Sequence, residues 1–540
     1  MAKFLIVIAA IILICVFLNK VSSRVGVPVL LLFIFLGMAF GVGEDFGLEA
    51  TRLVESLCSF ALIFIMFYGG FGTRWKTARP VVVESGVLAT LGVFLTAAFV
   101  GLFCHFALGW KWIESLLMGS VISSTDAASV FNILRTRNIG LKNNTAPLLE
   151  IESGSNDPCS NILTIVMLSL LSGGASAGQV AWMVVAQFLF GALAGLLIAQ
   201  GAAWVLKRYN LSSGGFDSMF MLAVALLAYA VPSVIGGNGY LSTYIVGIVL
   251  GNLEFRGRKT LVGFFDGVTS LMQIAIFFVL GLMVSHRALL SAFVPAMLIF
   301  VFLTLVARPL AVGSILAPIR DKTTLKRRYP FKQCGLISFV GLRGASSIVF
   351  AIMTITQGAA LEHDIFSVVF VIVLVSISLQ GSLIPRAAKA FDMEDKDSSS
   401  RTTFSDFSDS SDVFFGRLDI GPGSPWIGCP LKEIGFPKEM LLVMIIRGGE
   451  RIVPDGGTVL QEGDRLIFCS KSYQNETEAN LTEHVIRPGG RWVGRPLMEY
   501  SKPGSLVLLI KRGEESIIPD GRTIMQADDT LVILSQSSLK

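Results

Sequence analysis

The chain has 540 residues, 53% of them hydrophobic and only 15% charged, with a mean hydropathy of +0.68. A soluble domain carries about 25% charged residues, so a wholly soluble protein is excluded; residues 1–391 carry the deficit, and residues 392–540 have an ordinary soluble composition. The net charge of +5 says little about partners, since basic residues in a membrane chain mostly set topology, and seven scattered cysteines with no CxxC pair or Cys/His cluster leave no metal framework and no disulfide scaffold.

In chain order, about thirteen apolar runs suit a bilayer that takes roughly 20 apolar residues to cross. They lie near 4–19, 26–43, 53–71, 81–106, 113–131, 147–172, 178–206, 217–234, 239–253, 262–285, 289–318, 333–357 and 364–385, the ninth being short and glycine-rich. The first could pass for a secretory signal, but it lacks a clear small-residue cleavage site and ends on Asn19-Lys20 as a membrane helix does.

Charges between the runs give an orientation. With the N-terminus outside, the inward loops hold 21 basic residues, among them Arg74, Lys142, Arg256, Arg328 and Lys389. The outward segments hold only Lys3, Arg52, Lys111 and Arg287. This bias follows the positive-inside rule and puts the soluble tail in the cytoplasm.

Four polar features interrupt the apolar runs. Glu152-Ser153-Gly154-Ser155-Asn156-Asp157-Pro158 places two carboxylates at bilayer depth, where a charge costs roughly 2.5–3.5 kcal/mol on insertion scales and is rarely kept without a job. On a helix Ser153 and Asp157 share one face, and Glu152 and Asn156 share the next. Pro158 removes the backbone hydrogen bond to residue 154, freeing a carbonyl for a ligand. Ser123-Ser124-Thr125-Asp126-Ala127-Ala128-Ser129 and Gly341-Leu342-Arg343-Gly344-Ala345-Ser346-Ser347 are hydroxyl- and glycine-rich breaks seven spans apart. Paired breaks are expected of an inverted-repeat transporter with unwound helices; small-residue helix packing is the plainer alternative. Arg308, in Leu305-Val306-Ala307-Arg308-Pro309-Leu310, either pairs with a buried anion, for which Glu152 is the natural candidate, or snorkels to the interface. Whether Arg308 or Arg343 is the partner of Glu152 stays open at this level.

Thr125-Asp126, Glu152 through Asp157, Arg308 and Gly341-Leu342-Arg343-Gly344, in this order and spacing, resemble the NhaP-type branch of the monovalent cation:proton antiporters, over roughly residues 1–390. The resemblance implies thirteen spans in two inverted repeats, two broken helices crossing near the ion site, and a homodimer. It implies that Asp157 is the ion and proton carrier. Ser153, Thr125 and Asp126 would line or complete the site, with the monovalent cation at Asp157, Thr125 and Ser153. Glu152 and Arg308 would form a structural ion pair that touches Asn156, and Gly341, Arg343 and Gly344 would form the broken-helix crossing. Many Na⁺/H⁺ relatives have a Glu-Ser-Leu-Phe-Asn-Asp type segment. The smaller Gly154-Ser155 version looks like the potassium/proton members linked to cell-volume control. Desolvation penalises a charged carboxylate, so proton and cation compete for one buried site and transport becomes exchange. Asn156 is neutral where electrogenic relatives carry a second Asp, which favours an electroneutral cycle.

Beyond residue 391 the sequence predicts a polar flexible linker over 392–420, rich in Ser and Asp, a composition that builds no core. Two repeats follow, at 421–474 and 486–540. Trp426-Ile427-Gly428-Cys429-Pro430-Leu431 matches Trp492-Val493-Gly494-Arg495-Pro496-Leu497, and Pro437 matches Pro503. Arg447-Gly448, Pro454-Asp455-Gly456, Thr458, Asp464 and Leu466 match Arg512-Gly513, Pro519-Asp520-Gly521, Thr523, Asp529 and Leu531. Each unit reads as short strands around a Pro-Asp-Gly turn, with strands expected at 441–447, 465–470, 506–512 and 530–535. The units resemble tandem TrkA-C subdomains, small β-rich α+β modules that dimerise and often bind small ligands. They are read either as a ligand- or pH-sensing gate or as modules that only hold the dimer together. No GxGxxG follows an expected strand, so no Rossmann-type NAD or ATP site is expected.

The expected protein is therefore a polytopic α-helical membrane antiporter of the bacterial inner membrane. It exchanges K⁺, or Na⁺, for H⁺ with no cofactor, apart from an unidentified small-molecule ligand the tail would take, and it has no nucleic-acid partner. A regulated potassium channel is the alternative suggested by the tail, but no carbonyl-lined filter of the Thr-Val-Gly-Tyr-Gly type occurs. Nor is there a Ser/His/Asp set or HExxH segment to support a membrane enzyme; the histidines at 105, 286, 363 and 484 are scattered.

Overall fold

The computed structural model describes residues 9–18, 20, 28–41, 48–137, 139–173, 176–209, 215–253, 258–320, 328–357, 361–395, 413–436, 440–471, 481–500, 505–513, 515–517, 519 and 521–535. The chain divides into two compact units, Met1–Arg401 and Thr402–Lys540.

In the first unit helices occupy each of the thirteen expected spans. Among the described residues seven are long and apolar enough to cross a membrane: Leu48–Gly72, Trp75–Leu108, Ala177–Arg208, Phe216–Val234, Leu261–Met283, Arg287–Leu316 and Ile365–Ala390. Ala9–Leu18, Val29–Phe40 and Gly239–Gly251 are shorter apolar helices. The other three spans carry the polar segments. The sixth, Thr145–Leu171, is one unbroken helix of 27 residues that runs through Pro158. The fifth and twelfth are interrupted, as Trp112–Val121 with Ala127–Thr136 and as Phe331–Phe339 with Ala345–Thr356.

The interruptions follow from the residues in them. Ser, Thr and Asp side chains offer the backbone local hydrogen bonds that compete with the helix. Ser123 Oγ donates to the Ser120 carbonyl at 2.7 Å, and Asp126 Oδ1 accepts the Ser129 N–H at 3.1 Å, capping the helix that restarts at Ala127. In the twelfth span the break is Gly341 to Gly344, and the helix restarts at Ala345.

Lipid gives packed helices little hydrophobic drive, so small residues that let backbones approach carry much of the association. The second and tenth spans cross at Gly37 and Gly281: a Cβ on Gly37 would lie 2.0 Å from the Phe278 carbonyl oxygen, and one on Gly281 2.2 Å from that of Ile34. Two helices also carry a single wider, π-type turn near the breaks, Leu303–Ala307 and Ser376–Gln380. The first directly precedes Arg308-Pro309, where proline withholds a backbone donor. In the second, Ser376 Oγ accepts the Arg343 N–H at 3.0 Å and donates to Gln380 at 2.8 Å, while Gln380 Nε2 donates to the Phe339 carbonyl.

A short strap closes one end of this unit. Gly140–Leu141 pairs antiparallel with Glu394–Asp395, and the Lys142 N–H donates to the Met393 carbonyl at 3.0 Å. Lys142 and Lys332 flank Asp392 at 3.1 and 3.6 Å, and the Lys142 ammonium holds the exposed Asp392 carboxyl below its ordinary value. Asn143 and Asn144, both at positive φ, turn the chain into the sixth span. Gln333 Nε2 ties that turn to the twelfth span through the Asn143 carbonyl and Thr145 Oγ1, each at 3.1 Å.

The second unit contains two four-stranded antiparallel sheets of the same topology. In chain position the orders are 413–419, 465–471, 440–447, 450–452 and 481–485, 530–535, 505–512, 515–517. The expected linker is corrected at both ends: Glu394–Asp395 belongs to the strap, and Val413–Asp419 is an edge strand of the first sheet. Leu481–Val485, expected between the repeats, is likewise an edge strand of the second. Residues 396–412, Pro437, Pro503 and Asp520 lie outside the described residues. Each sheet has its own small core, around Ile445, Leu460 and Leu466 in one and Ile510, Met525 and Leu531 in the other.

The repeat matches converge on one interaction per module. Arg447 Nε and Nη2 donate to the two oxygens of fully buried Asp464 at 2.7 and 2.8 Å, and Nη2 also reaches the Val459 carbonyl at 2.7 Å. Arg512 repeats this with Asp529 at 2.8 and 2.8 Å and the Ile524 carbonyl at 2.8 Å. Gln461 and Gln526 donate their N–H to Asp464 and Asp529 at 2.8 and 2.7 Å. The arginine bonds hold both aspartates below the ordinary carboxylate range. A depressed folded-state value contributes stability above the unfolded value, near 3.9, that is lost as pH falls through the folded one.

Two outcomes are expected. Gly281→Leu blocks the crossing with the second span, and a fluorescence size-exclusion profile should show loss of the folded peak, while Gly263→Leu, where a side chain meets open space, retains it. Arg447→Ala should open the first tail module to limited proteolysis at neutral pH, whereas the wild-type tail should become equally susceptible only once acidified well below pH 4.

Candidate functional site

The two breaks meet, and the sixth span lies against both. The Asp126 N–H donates to the Leu342 carbonyl at 2.8 Å. Arg343 Nη1 donates to the carbonyls of Ser123, at 2.9 Å, and Ser124, at 2.5 Å. Unwound backbone at membrane depth is tolerated only where protein satisfies it, and here each break satisfies the other. The approach requires glycine at 344, where a Cβ would lie 2.2 Å from Asp126 Oδ2.

On the sixth span the two adjacent stripes have different surroundings. Glu152 and Arg308 are each 1% exposed, and Arg308 Nη2 donates to Glu152 Oε1 at 2.9 Å. The wider turn at Leu303–Ala307 immediately precedes this buried arginine. Asn156 Nδ2 donates to Glu152 Oε1 at 3.2 Å and to Thr125 Oγ1 at 2.5 Å, and its Oδ1 accepts the Thr125 N–H at 3.4 Å. Thr125 Oγ1 in turn donates to Glu152 Oε2 at 3.5 Å. Glu152 thus pairs with Arg308, and Arg343 spends its guanidinium on backbone carbonyls instead.

The other stripe holds Ser153 and Asp157, both buried. Ser153 Oγ donates to the Thr125 carbonyl at 2.6 Å, and the Asp157 carboxylate accepts a very short hydrogen bond from Ser124 Oγ. Ser124 Oγ is also 2.9 Å from Ser346 Oγ of the twelfth span. No basic side chain pairs with Asp157 among the described residues. Asp126 is held by the Ser129 hydroxyl, at 2.5 Å, and by the Ser129 N–H, and it stands beside Gly344. Gly341 lies under the guanidinium of Arg308, with Thr125 Cγ2 beside it.

The structure therefore brings Thr125, Asp126, Glu152, Ser153, Asn156, Asp157, Arg308, Gly341, Arg343 and Gly344 into one cluster, buried throughout except at half-buried Asp126. Ser124 and Ser346 complete it and are not among the site residues expected from sequence; their only signal there was a hydroxyl inside each break. Tyr244 is a further neighbour unseen in the sequence, since a Cβ on Gly154 would lie 2.4 Å from its ring. A buried carboxylate set among hydroxyls, an amide and an unwound backbone carbonyl offers hard oxygen ligands of the kind that suit a monovalent cation, and the carboxylate can take a proton instead.

Residues 7–390 match the family model described as sodium/hydrogen exchanger, transmembrane, and residues 416–480 and 481–539 each match the TrkA-C domain. The chain belongs to the sodium/hydrogen exchanger family: it is a multi-pass membrane cation:proton antiporter that carries two TrkA-C domains. Among its relatives is the K(+)/H(+) antiporter NhaP2 of Shewanella sp. strain MR-4, 33% identical over 492 residues, which is 89% of this chain and 83% of that one. The K(+)/H(+) antiporter NhaP of Alkalimonas amylolytica is also 33% identical, over 86% of this chain and 81% of that one. The solved sodium proton antiporter MjNhaP1 from Methanocaldococcus jannaschii shares the fold, with a TM-score of 0.60 at 22% identity, over 70% of this chain and all of that one.

Removing one partner of the Glu152–Arg308 pair leaves the other charge buried and uncompensated, at a cost of about 3–5 kcal/mol. Arg308→Met should lower the melting temperature in detergent markedly, and adding Glu152→Leu to it should recover much of the loss, as a nanoscale fluorimetric melt would show.

Proposed function

We propose that this chain exchanges one K⁺ for one proton by alternating access, with Asp157 as the carrier of both. The observation that carries the reading is that Asp157 is buried, 4% exposed, with the Ser124 hydroxyl as donor and no basic partner among the described residues. An ionised carboxylate in that setting needs a positive charge, and either a proton or a cation supplies it. Charge balance favours one of either. Arg308 balances Glu152, and Arg343 is spent on the carbonyls of Ser123 and Ser124, so the charge of buried Asp157 is met by one proton or one cation. Asn156 adds no second carboxylate to be titrated, which supports an electroneutral cycle.

Potassium rather than sodium is supported by the names of the relatives at 33% identity and by the small Gly154-Ser155 pair. Ser153, the Thr125 carbonyl and hydroxyl, and Asp126 would complete the cation's oxygen shell, and no cofactor takes part. The basic residues between spans support an N-terminus outside the bacterial inner membrane and the TrkA-C domains in the cytoplasm. There the two domains would serve a homodimer as a regulatory module, open to a small-molecule ligand that nothing in their sequence names.

The test is dye-reported pH change in acid-loaded everted vesicles on addition of K⁺ or Na⁺. Wild type should alkalinise the lumen with K⁺, and Asp157→Asn should abolish the response at unchanged protein level. A response to Na⁺ alone would overturn the choice of cation. A potential-sensitive dye should stay silent throughout; net charge movement would refute the one-for-one cycle.

A further inference from the structure

We propose that Ser346 is a positioning residue of the exchange: through its contact with Ser124 it orients the hydroxyl that serves Asp157, and so sets how readily the carboxylate takes up the cation. The inference rests on the Asp157 reading above and adds a residue from the twelfth span, on the opposite side of the crossing from Thr125 and Asp126.

The argument is one of hydrogen-bond polarity. A serine hydroxyl has one hydrogen and two lone pairs, and an ionised carboxylate only accepts. With Asp157 ionised, the single hydrogen of Ser124 points to the carboxylate. The 2.9 Å contact between Ser124 Oγ and Ser346 Oγ can then be bridged only by the hydrogen of Ser346. Ser346 then gives its hydrogen either to Ser124, in the order Ser346 to Ser124 to Asp157, or to the Asp157 carboxylate beside it, and both arrangements favour the ionised form. Hydrogen bonds in such a chain polarise one another, and the effect is largest in a dry interior; Ser124 and Ser346 are 0% and 4% exposed. The chain therefore strengthens the donor that stabilises the carboxylate, which is the form a cation binds. When the carboxyl carries the proton it becomes a donor, and the same two hydroxyls can turn over to accept it, with no backbone movement required.

The geometry around the pair keeps it in register. Arg343 grips the carbonyls of Ser123 and Ser124 from the twelfth span, and Leu342 accepts the N–H of Asp126. Ser346 follows three residues after Arg343, at the start of the helix Ala345–Thr356. The next residue supplies a contrast. Ser347 is fully buried too, but among the described residues its hydroxyl finds no hydrogen-bond partner, so burial of a serine here does not by itself imply a role.

The experiment uses full-length protein in everted vesicles, with K⁺ and then Na⁺ titrated at fixed pH. Loss of exchange in Asp157→Asn establishes the carrier first, so a failure there is separate from a failure at 346. Ser346→Ala should raise the half-saturating cation concentration by roughly threefold to tenfold, the size expected for one net hydrogen bond, with maximal rate per transporter little changed. Ser346→Thr keeps the hydroxyl and should restore the wild-type value, and Ser347→Ala should leave it unaltered. A wild-type half-saturation in Ser346→Ala would overturn the proposal, as would equal effects of the 346 and 347 alanines. Threonine and valine at 346 differ only in hydroxyl against methyl. If the alanine variant does not reach the membrane, equal half-saturation for that pair overturns the proposal, and a raised value in valine alone supports it.

Discussion

Backbone that leaves the helical state inside a membrane must find its hydrogen bonds within the protein, and in this chain the two stretches that do so find many of them in each other. Asp126 donates to Leu342, Arg343 reaches the carbonyls of Ser123 and Ser124, and Gly344 lets the carboxyl of Asp126 approach. The crossing is therefore a single structural object built from segments more than two hundred residues apart, and the polar side chains on the sixth span are placed by reference to it. The wide turn at Ser376–Gln380 belongs to the same object, because Ser376 and Gln380 hold residues on either side of the second break.

The two stripes of the sixth span differ in how their carboxylates are held. Glu152 is fully committed: Arg308, Asn156 and Thr125 surround it, and its charge is cancelled inside the protein. Asp157, five residues further along the same helix, is bound by a neutral hydroxyl and left with its charge uncancelled. The committed pair ties the helix to its neighbours, and under the proposed cycle the uncommitted carboxylate is the one that trades partners. An uncompensated buried charge is costly in a protein that only has to be stable, and it is retained where a transported ion supplies the compensation.

Much of this was legible in the sequence, for physical reasons. The bilayer demands long apolar runs, so the spans stood out, and the exclusion of charge from lipid made each polar residue within them conspicuous. The breaks showed as hydroxyl and glycine clusters because those residues compete with helix. What could not be read was pairing. Arg308 was the favoured partner of Glu152, but Arg343 stayed a candidate until the fold showed that the first faces it and the second faces carbonyls. Ser124 and Ser346 were two serines among many, and only the crossing brings their hydroxyls together. In the tail, the matched positions of the repeat pointed to Arg447, Asp464, Arg512 and Asp529, whose charge pairs now explain why those positions match. The edge strands at 413–419 and 481–485 were missed because each adjoins a polar stretch that builds no core, and an edge strand buries little of its own.

The strap between Gly140–Leu141 and Glu394–Asp395 changes what it means to detach the tail. The last span ends at Ala390, so a truncation at Phe391 looks like the natural cut. It would also remove Asp392 from Lys142 and Lys332, and the partner strand from the loop that leads into the helix of Asp157. A loss of transport after such a cut would mix the absence of the tail with a slackened entry to the sixth span. Cutting beyond Asp395 keeps the membrane unit's own stitching, and only there does the tail come away as a separate part.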